Sequence, residues 1–110
     1  SNTEKNPVDA IKISISPTEL KMDQLKLANV ENNNIEANAI DKNDSNFIKP
    51  LFDELQKLNA QTENKQIQNK IGKVLLQADQ ELPYSTVRKI MYTASMAGFP
   101  NLKLVTVTGN

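Results

Sequence analysis

Ala10, Ile11, Ile13 and Ile15 alternate with Lys12, Ser14 and Ser16, the period of a strand with one buried face. Pro17–Thr18 then begins a turn. Leu20, Met22, Leu25 and Leu27 alternate with Lys21, Asp23 and Lys26, but Gln24 disturbs the phase. A second strand with a bulge accounts for this, and so does a short helical turn; the alternation favours the strand. Asn29 to Asn46 is the least readable stretch. Ile35, Ala37 and Ala39 hint at an alternating edge strand there, and a long mobile loop is an equal alternative.

Helical spacing begins at Phe47. Ile48, Leu51, Phe52, Leu55 and Leu58 recur every three or four residues and predict a helix over 47–58. Ser45 or Asn46 is its expected cap, Pro50 falls in the first turn, and Asp53–Glu54 sit early for the dipole. Asn59–Asn69 is polar apart from Ala60 and Ile67, and either continues as a solvated helix or becomes a loop. Lys73–Ala78 is a short apolar run between Gly72 and Asp79, which suits a buried central strand. Pro83 opens a second helix with the stripe Tyr84, Val87, Ile90, Met91, Ala94 and Ala97. Gly98 is placed to end it, and Pro100 prevents continuation. Leu102, Leu104, Val105 and Val107 give a final strand, so 71–108 reads as a strand–helix–strand unit with parallel neighbours. The expected whole is an α+β fold, a two-layer β-β-α-β-α-β arrangement with two helices packed on one face of a small mixed sheet.

Composition narrows the functions available. The chain has 110 residues, 13 basic against 13 acidic side chains, and neither cysteine nor histidine. That length suits one domain over 10–108, with 1–9 as a flexible lead-in whose Ser1–Asn2 reads as the remnant of a cleaved expression tag. Balanced charge gives no footprint for nucleic acid or an anionic membrane. The missing residue types remove disulfides, thiol nucleophiles, Cys-based zinc sites and the usual proton shuttle near neutral pH. No run reaches the roughly 18–20 apolar residues that span a bilayer.

Asp79 is the acid most conspicuously placed, at the carboxyl end of the central strand and just before a helix, where open α/β sheets often bind ligands. The simpler role is to accept backbone N–H bonds in the strand–helix turn. Asp79, Glu81 and Tyr84 together are a candidate groove for a partner or small ligand. Catalysis by Asp79 with Glu81 lacks a second group of contrasting pKa, and Tyr84–Ser85–Thr86 lacks an activating base. Pro83 and Ser85 instead form the helix start, with the Tyr84 ring expected against the sheet. Asp41 and Asp44 resemble a piece of a calcium loop but lack its glycine and terminal glutamate. No glycine-rich phosphate loop occurs. The chain is therefore read as no enzyme, with no catalytic, metal or cofactor-binding residues.

The segment from Val74 to Gly98 resembles the periplasmic domain of the ExbD/TolR family in biopolymer transport. Ala78–Asp79 matches the end of its apolar strand, Pro83–Tyr84 its helix start, Val87 with Ile90–Met91 its helix stripe, and Ala97–Gly98 its stop. Leu104-Val-Thr106 looks like its closing strand; the rest agrees in the order of elements only. The resemblance implies a non-enzymatic, single-pass inner-membrane subunit with this domain in the periplasm, working as a homodimer under the proton-motive force. A membrane helix outside this chain, upstream of Thr3 and carrying an acidic residue, would bind a TolQ/ExbB-like channel subunit. The periplasmic domain would engage a TonB/TolA-like protein or peptidoglycan, and docking by strand addition has three candidate edges: the second strand, the 35–40 segment and the final strand. The chain departs from the family pattern in the Asn-rich 30–46 segment. The alternative function is a domain that binds peptidoglycan or a small ligand.

Overall fold

The computed structural model describes residues 11–61 and 74–108. Two helices and a mixed sheet make the fold α+β, as the periodicity implies. The sheet has six strands: β1 (Ile11–Ile15), β2 (Glu19–Met22), β3 (Leu25–Glu31), β4 (Asn34–Ile35), β7 (Val74–Asp79) and β8 (Lys103–Val107). Their order is β4-β3-β2-β1-β7-β8. Neighbours among β1 to β4 are antiparallel, whereas β7 is parallel to both β1 and β8. A separate hairpin, β5 (Ile40–Asp41) and β6 (Asp44–Ile48), stands off this sheet. Helix α1 is Lys49–Asn59 and α2 is Tyr84–Met96. The lead-in, Ala10, most of the polar 59–69 stretch and Ile71–Lys73 lie outside the described residues.

Burial follows the pleat. Ile11, Ile13 and Ile15 of β1 and Val74, Leu76 and Ala78 of β7 are buried. Lys12, Ser14, Leu75 and Gln77, on the opposite face, are not. Leu51 and Leu55 of α1 and Val87, Ile90 and Ala94 of α2 join the same apolar cluster, so both helices cover one face of the sheet.

The expected second strand is a hairpin instead. Met22 faces Leu25 across a two-residue turn, Asp23–Gln24, with Asp23 at φ 54°. Gln24 disturbs the alternation because the chain reverses there. A bulge does exist, but further along: Leu20 pairs with Ala28 and Lys21 with Lys26, leaving Leu27 as the extra residue.

The 29–46 stretch is no mobile loop. Asn32 and Asn33, at φ 54° and 65°, make the left-handed turn between β3 and β4, a conformation that asparagine tolerates better than most residues. Ile35 and Ala39 are buried as the alternation suggested, but Ala37 is exposed, because the chain runs through two-residue β4 and a 3-10 turn at Ala37–Ala39 rather than one edge strand. Asp41 and Asp44 are the ends of the β5–β6 turn, not a calcium loop. Asp41 Oδ2 accepts the Asn43 N–H at 2.8 Å and Asp44 Oδ1 the Asn46 N–H at 3.0 Å.

Neither Ser45 nor Asn46 caps α1, because pairing with β5 draws both into β6. Ile48 holds the cap position without a side-chain bond, and no acid lies in the first turn, Asp53–Glu54 coming a turn later. A cap is worth about 1 kcal/mol, whereas full burial of a leucine contributes about 1.5–3 kcal/mol. Leu51 and Leu55, both fully buried, outweigh the missing cap.

Helix α2 ends as its sequence predicts. Gly98 is at φ 101°, its N–H bonds to Ser95 O at 3.0 Å, and the Phe99 N–H reaches Ala94 O at 2.9 Å, the paired bonds of a Schellman motif. Asn59 Nδ2 donates to Ala97 O at 3.2 Å and lies 2.7 Å from where a Cβ on residue 98 would sit. The end of α1 thus packs on the end of α2.

At the other end of α1, Thr93 makes the link. Its hydroxyl is fully buried, accepts the Ile48 N–H at 3.0 Å, and has the carbonyls of Lys89 (2.8 Å) and Asn46 (3.2 Å) within reach of its proton. Thr93→Val keeps the shape but leaves the Ile48 N–H without its partner. The expected loss is about 1–3 kcal/mol of unfolding free energy at unchanged m, read by urea denaturation. A loss below a few tenths of a kcal/mol would show that water or a backbone shift replaces the bond.

Candidate functional site

Asp79 ends β7 on the polar face of the sheet and is 7% exposed. Its Oδ1 accepts the Glu81 N–H at 2.8 Å, and its own carbonyl receives the Leu82 N–H at 3.1 Å. These bonds form the β7–α2 turn, the structural role that its position suggested. The Gln80 N–H crosses to Val107 O at 2.8 Å, fastening that turn to β8.

Glu81 is exposed at the tip of the turn. Tyr84 does not pack against the sheet as expected: it is 61% exposed, and the Arg88 guanidinium stands 6.0 Å from its ring centroid. Position 84 opens the helix on its solvent side, and Leu82, Val87 and Phe99 take the interior volume instead. Of the three candidate groove residues, Asp79 lines a depression on the open sheet face with Lys12, Ser14, Glu19, Lys21 and Gln77, and Glu81 and Tyr84 do not join it there. Both signs of charge meet there around three neutral hydrogen-bonding side chains, Ser14, Ser16 and Gln77. Among the described residues no group of three or more acids is placed to hold a metal ion.

A second concavity, of about 760 Å³, runs between β3 and α1 and is lined by Leu25, Leu27, Pro50, Asp53 and Lys57. On this side β3 has no strand neighbour over Leu25–Ala28, because β4 pairs only with Val30 and Glu31. Leu25 is 48% exposed on its wall.

Among the described residues β8 is unpaired along its outer side, and β3 is unpaired on its outer side only over Leu25–Ala28, beside α1. In a strand the N–H and C=O of one residue point to the same side, and successive residues alternate. The Val107 carbonyl points at β7, where it accepts the Gln80 N–H. By alternation, the backbone groups of Leu104 and Thr106 point outward. Leu104, 39% exposed, adds an apolar side chain to that edge. Of the other edges expected to dock a strand, the predicted second strand divides into β2, which β1 and β3 flank, and β3, whose outer side is open only over Leu25–Ala28 beside α1, and the 35–40 segment offers only the two-residue β4.

One polar cluster escaped the sequence reading. The Thr86 hydroxyl donates to Asn33 O at 2.6 Å, Lys89 Nζ to Asn34 Oδ1 at 3.1 Å, and the Tyr92 phenol to Asp44 Oδ2 at 2.6 Å. With Thr93 they strap the 30–46 segment onto α2. The signal available was two threonines seven residues apart on a helix, beside a segment full of turn-forming asparagines.

Such a molecule is a small α+β module whose unused features are a strand edge, a groove and a polar depression, with no assembled catalytic constellation among its described residues. Residues 2–109 match the family model described as biopolymer transport protein ExbD/TolR, and the chain belongs to that family. Its members are transport accessory proteins with an inner-membrane anchor and a periplasmic domain. No curated protein and no solved structure matches the chain. Among the described residues no helix is long and apolar enough to cross a membrane.

The strap carries a pH signature. The Tyr92 hydrogen bond, and then the Asn46 N–H, hold the Asp44 carboxyl below its ordinary 3.8. The same bond to Asp44, with partial burial and the carboxylate charge, holds the Tyr92 phenol above its ordinary 10.0. The lowered Asp44 pKa stabilises the fold above the unfolded value, and that contribution fades as pH falls through the folded value. The raised Tyr92 pKa contributes below about pH 10 and fades as pH rises through the folded value. The Tm difference between wild type and Tyr92→Phe should therefore be level from about pH 5 to 9 and shrink on both sides. A difference that stays constant down to pH 2 would assign it to packing alone.

Proposed function

We propose that this chain is the periplasmic domain of an inner-membrane subunit that carries force from a proton-motive-force-driven channel to a periplasmic partner. In this reading a TolQ/ExbB-like channel subunit binds the membrane helix of the same protein. A TonB/TolA-like protein takes up the movement through this domain. Family membership supports the class of role. The β8 edge, unpaired among the described residues, is the observation that supports docking, since an extended segment added there would satisfy the outward backbone groups of Leu104 and Thr106. No charge change or covalent step is needed in the domain, in keeping with its lack of histidine and cysteine. Homodimerisation uses the same kind of edge pairing between two copies.

Thr106→Pro tests the edge. It removes an outward N–H without cutting the ladder to β7, the one setting in which a strand tolerates proline. Backbone amide shifts on titration with the periplasmic segment of the TonB/TolA-like protein from the same cell should concentrate in Lys103–Val107 and vanish in the variant. Shifts elsewhere, or none, would sink the docking mode. In sedimentation velocity the wild-type domain should gain mass with concentration and the variant should not. A wild type that stays monomeric at every concentration would remove the edge-paired dimer.

Binding of peptidoglycan in the depression beside Asp79 is the second reading, supported by its mixture of lysines, acids and the uncharged Ser14 and Gln77. Gln77→Ala, which leaves the Asp79 turn intact, should then reduce cosedimentation with purified sacculi at least threefold. Equal binding by the variant would place the contact elsewhere.

A further inference from the structure

The turn that closes the β5–β6 hairpin carries chemistry that neither docking nor the strap uses. Of the chain's asparagines, only Asn43 is followed two residues later by a hydroxyl side chain, in Asn43–Asp44–Ser45. The middle residue is not proline, so the triplet is an acceptor pattern for asparagine-linked glycosylation. Asp41, two residues before, extends it to Asp-x-Asn-x-Ser, the longer pattern that bacterial oligosaccharyltransferases select.

A short pattern of this kind means little when its acceptor is buried or built into regular structure; here Asn43 is an exposed turn residue, with Asp41, Asp44 and Ser45 in the strand ends that flank it. Lys42–Asn43 is the two-residue connection between paired Asp41 and Asp44, and both Asn43 and Ser45 are exposed. The turn is held by other atoms. The Asn43 backbone N–H is bound by Asp41, and Asp44 is bound by the Asn46 N–H and the Tyr92 phenol. The Asn43 side-chain amide makes no hydrogen bond among the described residues. A substituent on its nitrogen therefore breaks no contact seen there. The two aspartates fix the hairpin from behind while the amide and the Ser45 hydroxyl face solvent.

We propose that Asn43 is an acceptor for an asparagine-linked glycan, transferred from a lipid-diphosphate-linked oligosaccharide. The inference rests on the periplasmic placement proposed above, because such donors present their sugar on that side of the membrane. In the transfer Asn43 Nδ2 attacks the anomeric carbon of the reducing-end sugar. The C–N bond forms, the C–O bond to the diphosphate breaks, the lipid diphosphate leaves with the bonding pair, and one amide proton passes to solvent. Nothing is oxidised or reduced. The acidic residue at 41 and the hydroxyl at 45 are the features by which the transferase recognises the site.

The test exports the full chain through an added secretion signal in a bacterial host that holds a bacterial oligosaccharyltransferase and its lipid-linked donor. Intact mass of the purified protein should rise by one donor oligosaccharide. The gain should disappear in Asn43→Gln and Ser45→Ala and persist in Ser45→Thr. Asp41→Ala should lose most of it and Asp41→Glu should retain it, with each variant's melting curve confirming that it folds. An unmodified wild type beside a modified acceptor peptide in the same cells would overturn the proposal, as would a mass gain that survives Asn43→Gln. Export is imposed by the added signal, so such a failure belongs to the acceptor site. Failure of the placement reading would appear separately, as a native full-length protein retained in the cytoplasm while the exported chain is still glycosylated.

Discussion

The buried hydroxyl of Thr93 is where three parts of this chain are made to fit one another. A buried N–H without a partner costs about 1–3 kcal/mol, comparable to a large share of a small domain's net stability. The Ile48 N–H lies at the joint between β6 and α1, where neither ladder nor helix supplies its partner, and α2 supplies one from 45 positions further on. That bond fixes how α1 leaves the β5–β6 hairpin. The burial of Leu51 and Leu55 and the seat of Asn59 against the end of α2 follow from that direction. Helix α2 is thus committed on two sides: Val87, Ile90 and Ala94 face the sheet's core, while Thr86, Lys89, Tyr92 and Thr93 hold the 30–46 segment.

That division explains what the sequence disclosed. Strand β1 and both helices bury one face each, so their apolar residues recur with the element's own period, β7 shows as a short apolar run, and Gly98 and Pro100 mark a helix end by local geometry. The strap has no such period. Its ordering comes from side chains of α2 that bond the Asn33 carbonyl, the Asn34 amide and the Asp44 carboxylate, pairs separated by about fifty residues whose partners cannot be read from either end alone. Asparagine-rich composition was equally compatible with disorder and with tight left-handed turns. Asn32 and Asn33 show the second outcome.

The candidate site was legible to the same degree. The place of Asp79 at a strand end next to a helix start predicts its turn-forming bonds, because the interaction is local and the Glu81 N–H is two residues away. Tyr84 was misread for the complementary reason. An aromatic residue at the first position of a helix fits an apolar stripe on spacing alone, yet position 84 falls on the solvent side of a turn whose Thr86 and Val87 are buried, and the ring stands beside Arg88. The edge at β8 could be named as a candidate from sequence, but choosing it required the strand order, which puts β2 inside the sheet.

The two ends of that order are treated unequally, and the inequality bears on function. Open strand edges invite association, and proteins commonly blunt them with short strands, charges or covering segments. At the β3 side the chain spends a whole segment on this: β4 pairs with Val30 and Glu31, Glu36 takes up the Asn29 N–H through its carboxylate, and the strap ties the region down to α2. At the β8 side no described element covers the strand, and Leu104 stands partly exposed beside outward backbone groups. In the proposed role, a domain that closes Val30–Glu31 with an ordered, asparagine-rich segment and leaves β8 uncovered by any described element would meet an extended partner most readily along β8.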